Sequence, residues 1–136
     1  MTVSHILVPY DGTDKSDHAF DEALKITKKY SCTLSVVTCF HTSYVSLAYT
    51  TSIINEHIIS SKMKKLEEKA KIENVSFSFH VINSPFVVTA LLEFADENDV
   101  DMIIIGSQKR QGIKRILRGS ISEKIQKHAK CIVKII

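Results

Sequence analysis

Apolar residues fall along this chain in two rhythms. Short consecutive runs alternate with longer stretches in which every third or fourth position is apolar. Ile6-Leu7-Val8, stopped by Pro9 and Asp11-Gly12, is apolar on successive positions, as a strand buried on both faces must be. Ala19, Ala23, Ile26 and Tyr30 then mark one face of a helix, with Asp14 or Ser16 as its cap and Lys28 and Lys29 in its last turn. Thr33 to Phe40 reads as a second strand. A polar stretch from His41 to about Thr51 reads as a long connection, and a helix follows from about Ser52 to Ile72 with Ile59, Met63, Leu66 and Ala70 as its stripe.

The second half continues the alternation. Phe77, Phe79 and Val81 alternate with Ser76, Ser78 and His80, which predicts a third strand with a more exposed face, at a sheet edge. Asn83-Ser84-Pro85 predicts a cap with proline at the first helical position, before a helix that buries Val88, Leu91, Leu92 and Ala95. Asp101 to Ile105 is the fourth strand. Ser120 to Ala129 is the fourth helix, with Ile121, Ile125 and His128/Ala129 on one side, and Cys131 to Ile136 is the last strand. The resulting β-α-β-α-β-α-β-α-β order specifies one α/β domain over 1–136, a five-stranded parallel sheet with helices on both faces. With strand order 3-2-1-4-5, the order reverses between the first and fourth strands, and ligands bind outside the carboxyl ends of strands at such a reversal. Pro9-Tyr10-Asp11-Gly12 and Gly106-Ser107 would then meet at one crevice.

Composition narrows the function classes. The chain has 136 residues, 44% hydrophobic and 24% charged, the balance of an ordinary globular domain. A formal charge of +3 is too mild for a typical nucleic-acid binder. Three cysteines, Cys32, Cys39 and Cys131, form no CxxC pair, which argues against a metal site or a disulfide framework and suits a reducing compartment. No leader-like segment and no apolar run near the roughly 20 residues of a membrane span appear, so the expected location is cytoplasmic.

The densest chemistry lies after the fourth strand. Gly106 ends the strand, a loop carries Lys109, Arg110, Lys114, Arg115 and Arg118 with no acidic residue, and Gly119-Ser120-Ile121-Ser122 opens a helix. Unpaired amides at a helix N-terminus bind anions, phosphate above all. Asp11 has three readings, as a ribose ligand, a metal ligand or the former of its own turn. Ser120-x-x-Glu123 has the spacing of a capping box. Neither a nucleophile–base pair nor a P-loop is legible, so no catalytic residue is assigned.

These residues resemble the universal stress protein family over nearly the whole chain. The first strand with Pro9-x-Asp11 matches its opening. Gly106-Ser107-Gln108-Lys109 through Gly119-Ser120 matches its nucleotide signature G-x2-G-x9-G-[ST], except that Lys109 replaces the middle glycine. The resemblance implies a flavodoxin-like fold, a homodimer formed through the C-terminal strand, and adenine nucleotide, ATP with Mg²⁺ in many members. It implies that Gly119, Ser120, Ile121 and Ser122 hold phosphates, that Ile105 and Gly106 line the ribose-phosphate side, and that Asp11 meets the nucleoside hydroxyls. Pro9 would wall the adenine and Cys39 would touch it. Lys109 either obstructs the phosphates or pairs with them. The implied role is a stress-response sensor or regulator. The alternatives are a nucleotide-free dimeric interaction module and a slow or autophosphorylating ATPase. No nucleic-acid or membrane partner is expected.

Overall fold

A computed structural model of the chain describes residues 3–40, 46–106 and 121–136, with 46–56 described by backbone alone. Its elements run β1 (His5–Pro9), α1 (Asp14–Tyr30), β2 (Thr33–Phe40), α2 (Ser46–Ile72), β3 (Ser76–Asn83), α3 (Val87–Glu97), β4 (Met102–Ile105), α4 (Ile121–His128) and β5 (Ile132–Ile135). The sheet is parallel throughout and ordered β3-β2-β1-β4-β5. This is the flavodoxin-like α/β arrangement, with β3 at one edge as its alternation predicts. No helix among the described residues is long and apolar enough to cross a membrane.

Strand pleating sorts the core into two layers, because successive side chains point to opposite faces. Ile6, Val8, Leu34, Val36 and Ile104 pack with Ala19, Phe20, Ala23 and Leu24 of α1 and Ile59, Leu66 and Ala70 of α2. Leu7, Val37, Ile103 and Ile105 pack on the other face with Leu91 and Ala95 of α3 and Ile125 of α4. Exposed ion pairs join α1 to α2 and to the residue just after it, Lys69 to Asp21 at 3.1 Å and Lys28 to Glu73 at 2.6 Å.

Several boundaries differ from expectation for identifiable reasons. α2 begins at Ser46, so its first turns take up much of the stretch expected as a loop. Ser and Thr lower helix propensity by only a few tenths of a kcal/mol, roughly, and no glycine or proline interrupts 41–72. α1 is capped by Thr13, not by Asp14 or Ser16; Thr13 Oγ1 accepts from Ser16 N. Tyr30 of the expected stripe is 56% exposed, and Phe20 and Leu24 fill the buried face instead. On α4, Ile121 and His128 are exposed while Ser122 and Ile125 are buried. α3 begins at Val87 rather than Pro85, after an N-cap residue, Phe86, that makes no side-chain capping bond. β3 runs through Asn83, which pairs with Phe40, so Asn83 is held in the sheet and Ser84 Oγ accepts from Phe86 N instead.

Candidate functional site

The strand order reverses between β1 and β4, which are hydrogen-bonded neighbours with Ile6 opposite Met102 and Leu7 opposite Ile103. Their carboxyl ends carry Pro9-Tyr10-Asp11 and Ile105-Gly106. Pro9 closes β1 opposite Val37 and is buried. Proline donates no amide, but Tyr10 N continues the pairing to Val37 O at 2.9 Å, and Thr38 Oγ1 donates to Tyr10 O at 2.8 Å. The chain thus leaves the sheet from a fixed point.

Beyond that point the β1–α1 turn is held by its own side chains. Asp11 Oδ1 accepts from Thr13 N at 3.0 Å and from Thr13 Oγ1 at 2.6 Å. Thr13 caps α1, and Ser16 Oγ donates back to Thr13 O at 2.9 Å. Burial alone would raise the Asp11 carboxyl's pKa; hydrogen bonds from Thr13 and Ser16 outweigh it and hold the group below its usual value. Asp11 is therefore a turn former, and its side chain is exposed. Gly12 takes φ +84°, the left-handed region. α2 lies over it, with Ile59 and Lys62 against the space a Cβ would fill and Lys62 Nζ donating to Gly12 O.

Tyr10 anchors the turn from below. Its ring is 3% exposed and packs edge-on against Phe79, and its hydroxyl donates to Asp17 Oδ1 at 2.5 Å. Burial, then the Asp17 carboxylate, drives the phenol's pKa far above its usual value, so Tyr10 is a permanent donor.

Gly106 has a steric reason to be glycine. A Cβ there would stand 2.5 Å from the carbonyl oxygen and 2.7 Å from the carbonyl carbon of Lys15. The first turn of α1 thus rests directly on the end of β4, which brings the Asp11 turn and Gly106 to the same end of the sheet. Ile105 beside it is 6% exposed. Cys39, the penultimate residue of β2, is half-buried, and burial raises its thiol's pKa. Ile121 opens α4 and is 44% exposed, whereas Ser122 is buried. Lys109, Gly119 and Ser120 lie outside the described residues.

The structure therefore joins Pro9, Asp11, Ile105 and Gly106 at the switch point, with Cys39 two strand positions beyond Pro9's partner Val37. It adds Tyr10, Thr13, Lys15, Ser16 and Lys62. The Asp11-x-Thr13 spacing, a carboxylate two residues before a hydroxyl and a helix start, is the signal from which Thr13 was readable. Nothing in the local sequence announces Lys62, which reaches the turn from 50 residues away.

The arrangement has counterparts among known proteins. The universal stress protein YxiE of Bacillus subtilis is 28% identical over 96% of this chain and 97% of its own length. A universal stress protein solved in complex with cAMP superposes with a TM-score of 0.79 at 22% identity, covering 100% of this chain and 98% of the other. One from Archaeoglobus fulgidus in complex with dAMP gives 0.70 at 20% identity, covering 100% and 99%. The model of the universal stress protein family matches residues 2–136, and the chain belongs to that family.

Proposed function

We propose that this protein binds an adenine nucleotide in the crevice between the ends of β1 and β4 and acts as a regulator in a stress response. The observation that carries this reading is Asp11: a carboxylate kept ionised and fixed in orientation at the switch point, where the fold class places ligands. An ionised, exposed carboxylate is a good acceptor for sugar hydroxyls. The cAMP and dAMP of the two similar structures share an adenine base and a pentose; they differ in the phosphate, cyclic in cAMP, and in the sugar, whose one free hydroxyl is the 2′ in cAMP and the 3′ in dAMP. In this reading Pro9 and Cys39 line the adenine side, Ile105 and Gly106 pass beside the sugar and phosphate, and Ser122 with Ile121 meets phosphate at the start of α4. Lys109, Gly119 and Ser120 complete the phosphate end, and ATP with Mg²⁺ is the nucleotide to test first.

The proposal includes a cytoplasmic homodimer. β5 is an edge strand, and its Ile132 is 47% exposed, so an unpaired row of backbone groups and apolar surface face outward together. Binding rather than catalysis is the proposed activity.

Calorimetric titration with ATP and Mg²⁺, cAMP and GTP tests the ligand. Adenine nucleotides should bind, GTP should bind more weakly, and Asp11→Ala should lose most of the affinity. Absence of heat and of any melting shift at millimolar adenine nucleotide would leave the interaction-module reading in its place. Light scattering that gives a monomer mass would refute the dimer.

A further inference from the structure

Four lysines lie on α1, and three of them have a partner. Lys25 pairs with Glu22 at 3.2 Å, Lys28 pairs with Glu73 at 2.6 Å, and the Lys29 ammonium stands 5.3 Å from the centroid of the Tyr30 ring. Lys15 is the exception. It is exposed, and among the described residues its ammonium has no hydrogen-bond or ion-pair partner. Carboxylates stand nearby, but they are engaged elsewhere. Asp11 accepts from Thr13, Asp17 accepts from the Tyr10 hydroxyl, Asp21 pairs with Lys69, and Glu22 pairs with Lys25. Asp14, the residue before Lys15, is exposed and makes no ion pair with it.

The position also runs against helix electrostatics. Lys15 is the second residue of α1, where the amides of the first turn carry partial positive charge and disfavour a cation. Lys28 and Lys29 stand in the last turn, where the dipole favours them. What Lys15 does have is a fixed place. Its carbonyl group and its Cβ are the nearest atoms to the space over Gly106, the Cβ at 3.0 Å from a Cβ built there. Its stem therefore leaves α1 beside the end of β4, where the sugar and phosphate of the ligand are proposed to pass. Lys62, the other lysine at the β1–α1 turn, is tied to Gly12 O.

We propose that Lys15 is a phosphate contact of the nucleotide site and sets its preference for 5′-phosphorylated adenine nucleotides over adenosine. This rests on the reading of that site as one for adenine nucleotide. The phosphate residues assigned there all follow β4 in the chain, whereas Lys15 adds a cation from α1. A lysine ammonium is a point charge with rotatable donors on a flexible stem, which suits a phosphate oxygen. A phosphate beside Gly106 supplies the partner that Lys15 lacks and offsets a charge that the helix start opposes.

Calorimetric titration of the intact protein with ADP and with adenosine tests this. Wild type should bind ADP more tightly than adenosine. Lys15→Met should weaken ADP about tenfold, the value of one charge-assisted hydrogen bond, and leave adenosine unchanged. Lys15→Arg keeps a cation and should hold ADP affinity to within about threefold of wild type. Lys25→Met removes the same charge about 15 Å farther along the helix and should leave ADP affinity as it is. Free Lys15→Met should melt no lower than wild type, because the helix dipole opposes the lost charge; Lys15→Gln takes its place if it does not fold. ADP affinity that survives the loss of Lys15 overturns the contact. So does an equal loss of ADP and adenosine, which marks a packing effect at Gly106, or an equal loss in Lys25→Met, which marks the general charge of the protein. Adenosine binding with no gain from the phosphates overturns the contact and leaves the adenine site standing. Failure of wild type to bind either compound removes both.

Discussion

The end of β4 and the start of α1 touch with no room to spare: a methyl group on Gly106 would overlap the carbonyl of Lys15, 2.5 Å from its oxygen. Gly106→Ala must push the first turn of α1 away from the sheet. Overpacking against backbone costs about 1–3 kcal/mol. Chemical denaturation should show that loss with an unchanged m-value, and nucleotide affinity should fall with it, because the Asp11 turn rides on the same helix end.

Thr13 serves two groups at once, capping α1 and donating to Asp11. Thr13→Ala should cost about 1 kcal/mol, the usual value of an N-cap, whereas Thr13→Ser should retain most of it. The Asp11 carboxyl's pKa is lowered in the fold, so its stabilisation is present above the unfolded value of 3.8 and is lost as pH falls through the folded value. Removing the Thr13 hydroxyl raises that folded value. The acid limb of the Thr13→Ala stability curve should therefore be shallower than wild type, as melting temperatures measured from pH 5 downward would show.

Asp101 ties β1 to the start of β4 at the opposite end of the sheet, accepting from Ser4 N and Oγ at 2.7 Å and from His5 N at 2.9 Å. These bonds, led by the Ser4 hydroxyl, hold its carboxyl below the usual range. Asp101→Ala should cost on the order of 1 kcal/mol at neutral pH. The difference should shrink as pH drops below 3.8, where the wild-type carboxylate is neutralised as well.

Tyr10 gives an alkaline counterpart. Its pKa is raised by burial and by Asp17, so its stabilisation is complete below the unfolded value of 10.0 and is lost as pH rises beyond it. Absorbance at the phenolate band should show one tyrosine that ionises only when the protein unfolds in alkali. Tyr10→Phe should remove that delayed step and cost about 1 kcal/mol for the lost bond to Asp17.

The strands were the most legible part of this chain, because consecutive apolar residues between Pro9, the Thr33–Phe40 run and Gly106 leave little choice of element or face. The reversal point followed from strand order alone, and with it the placing of the Asp11 turn and Gly106 at the same end of the sheet. Helix starts were less legible. Thr13 lost to Asp14 and Ser16 because three capping residues stand within four positions, and only the Asp11 partner distinguishes them. Pro85 pointed to a helix start, yet the eight-residue pairing of β3 with β2 carried the strand through Asn83. Lys62 depends on a contact between elements far apart in the chain, and no local pattern encodes it.

The β1–α1 turn is complete before any ligand arrives. Asp11 is already bonded to Thr13, Thr13 to α1 and Gly12 to Lys62. A partner that docks there orders almost nothing on this side, so the entropy lost on association falls mainly on the partner. Discrimination among ligands at this wall should then reside in how long each one stays, not in how fast it enters.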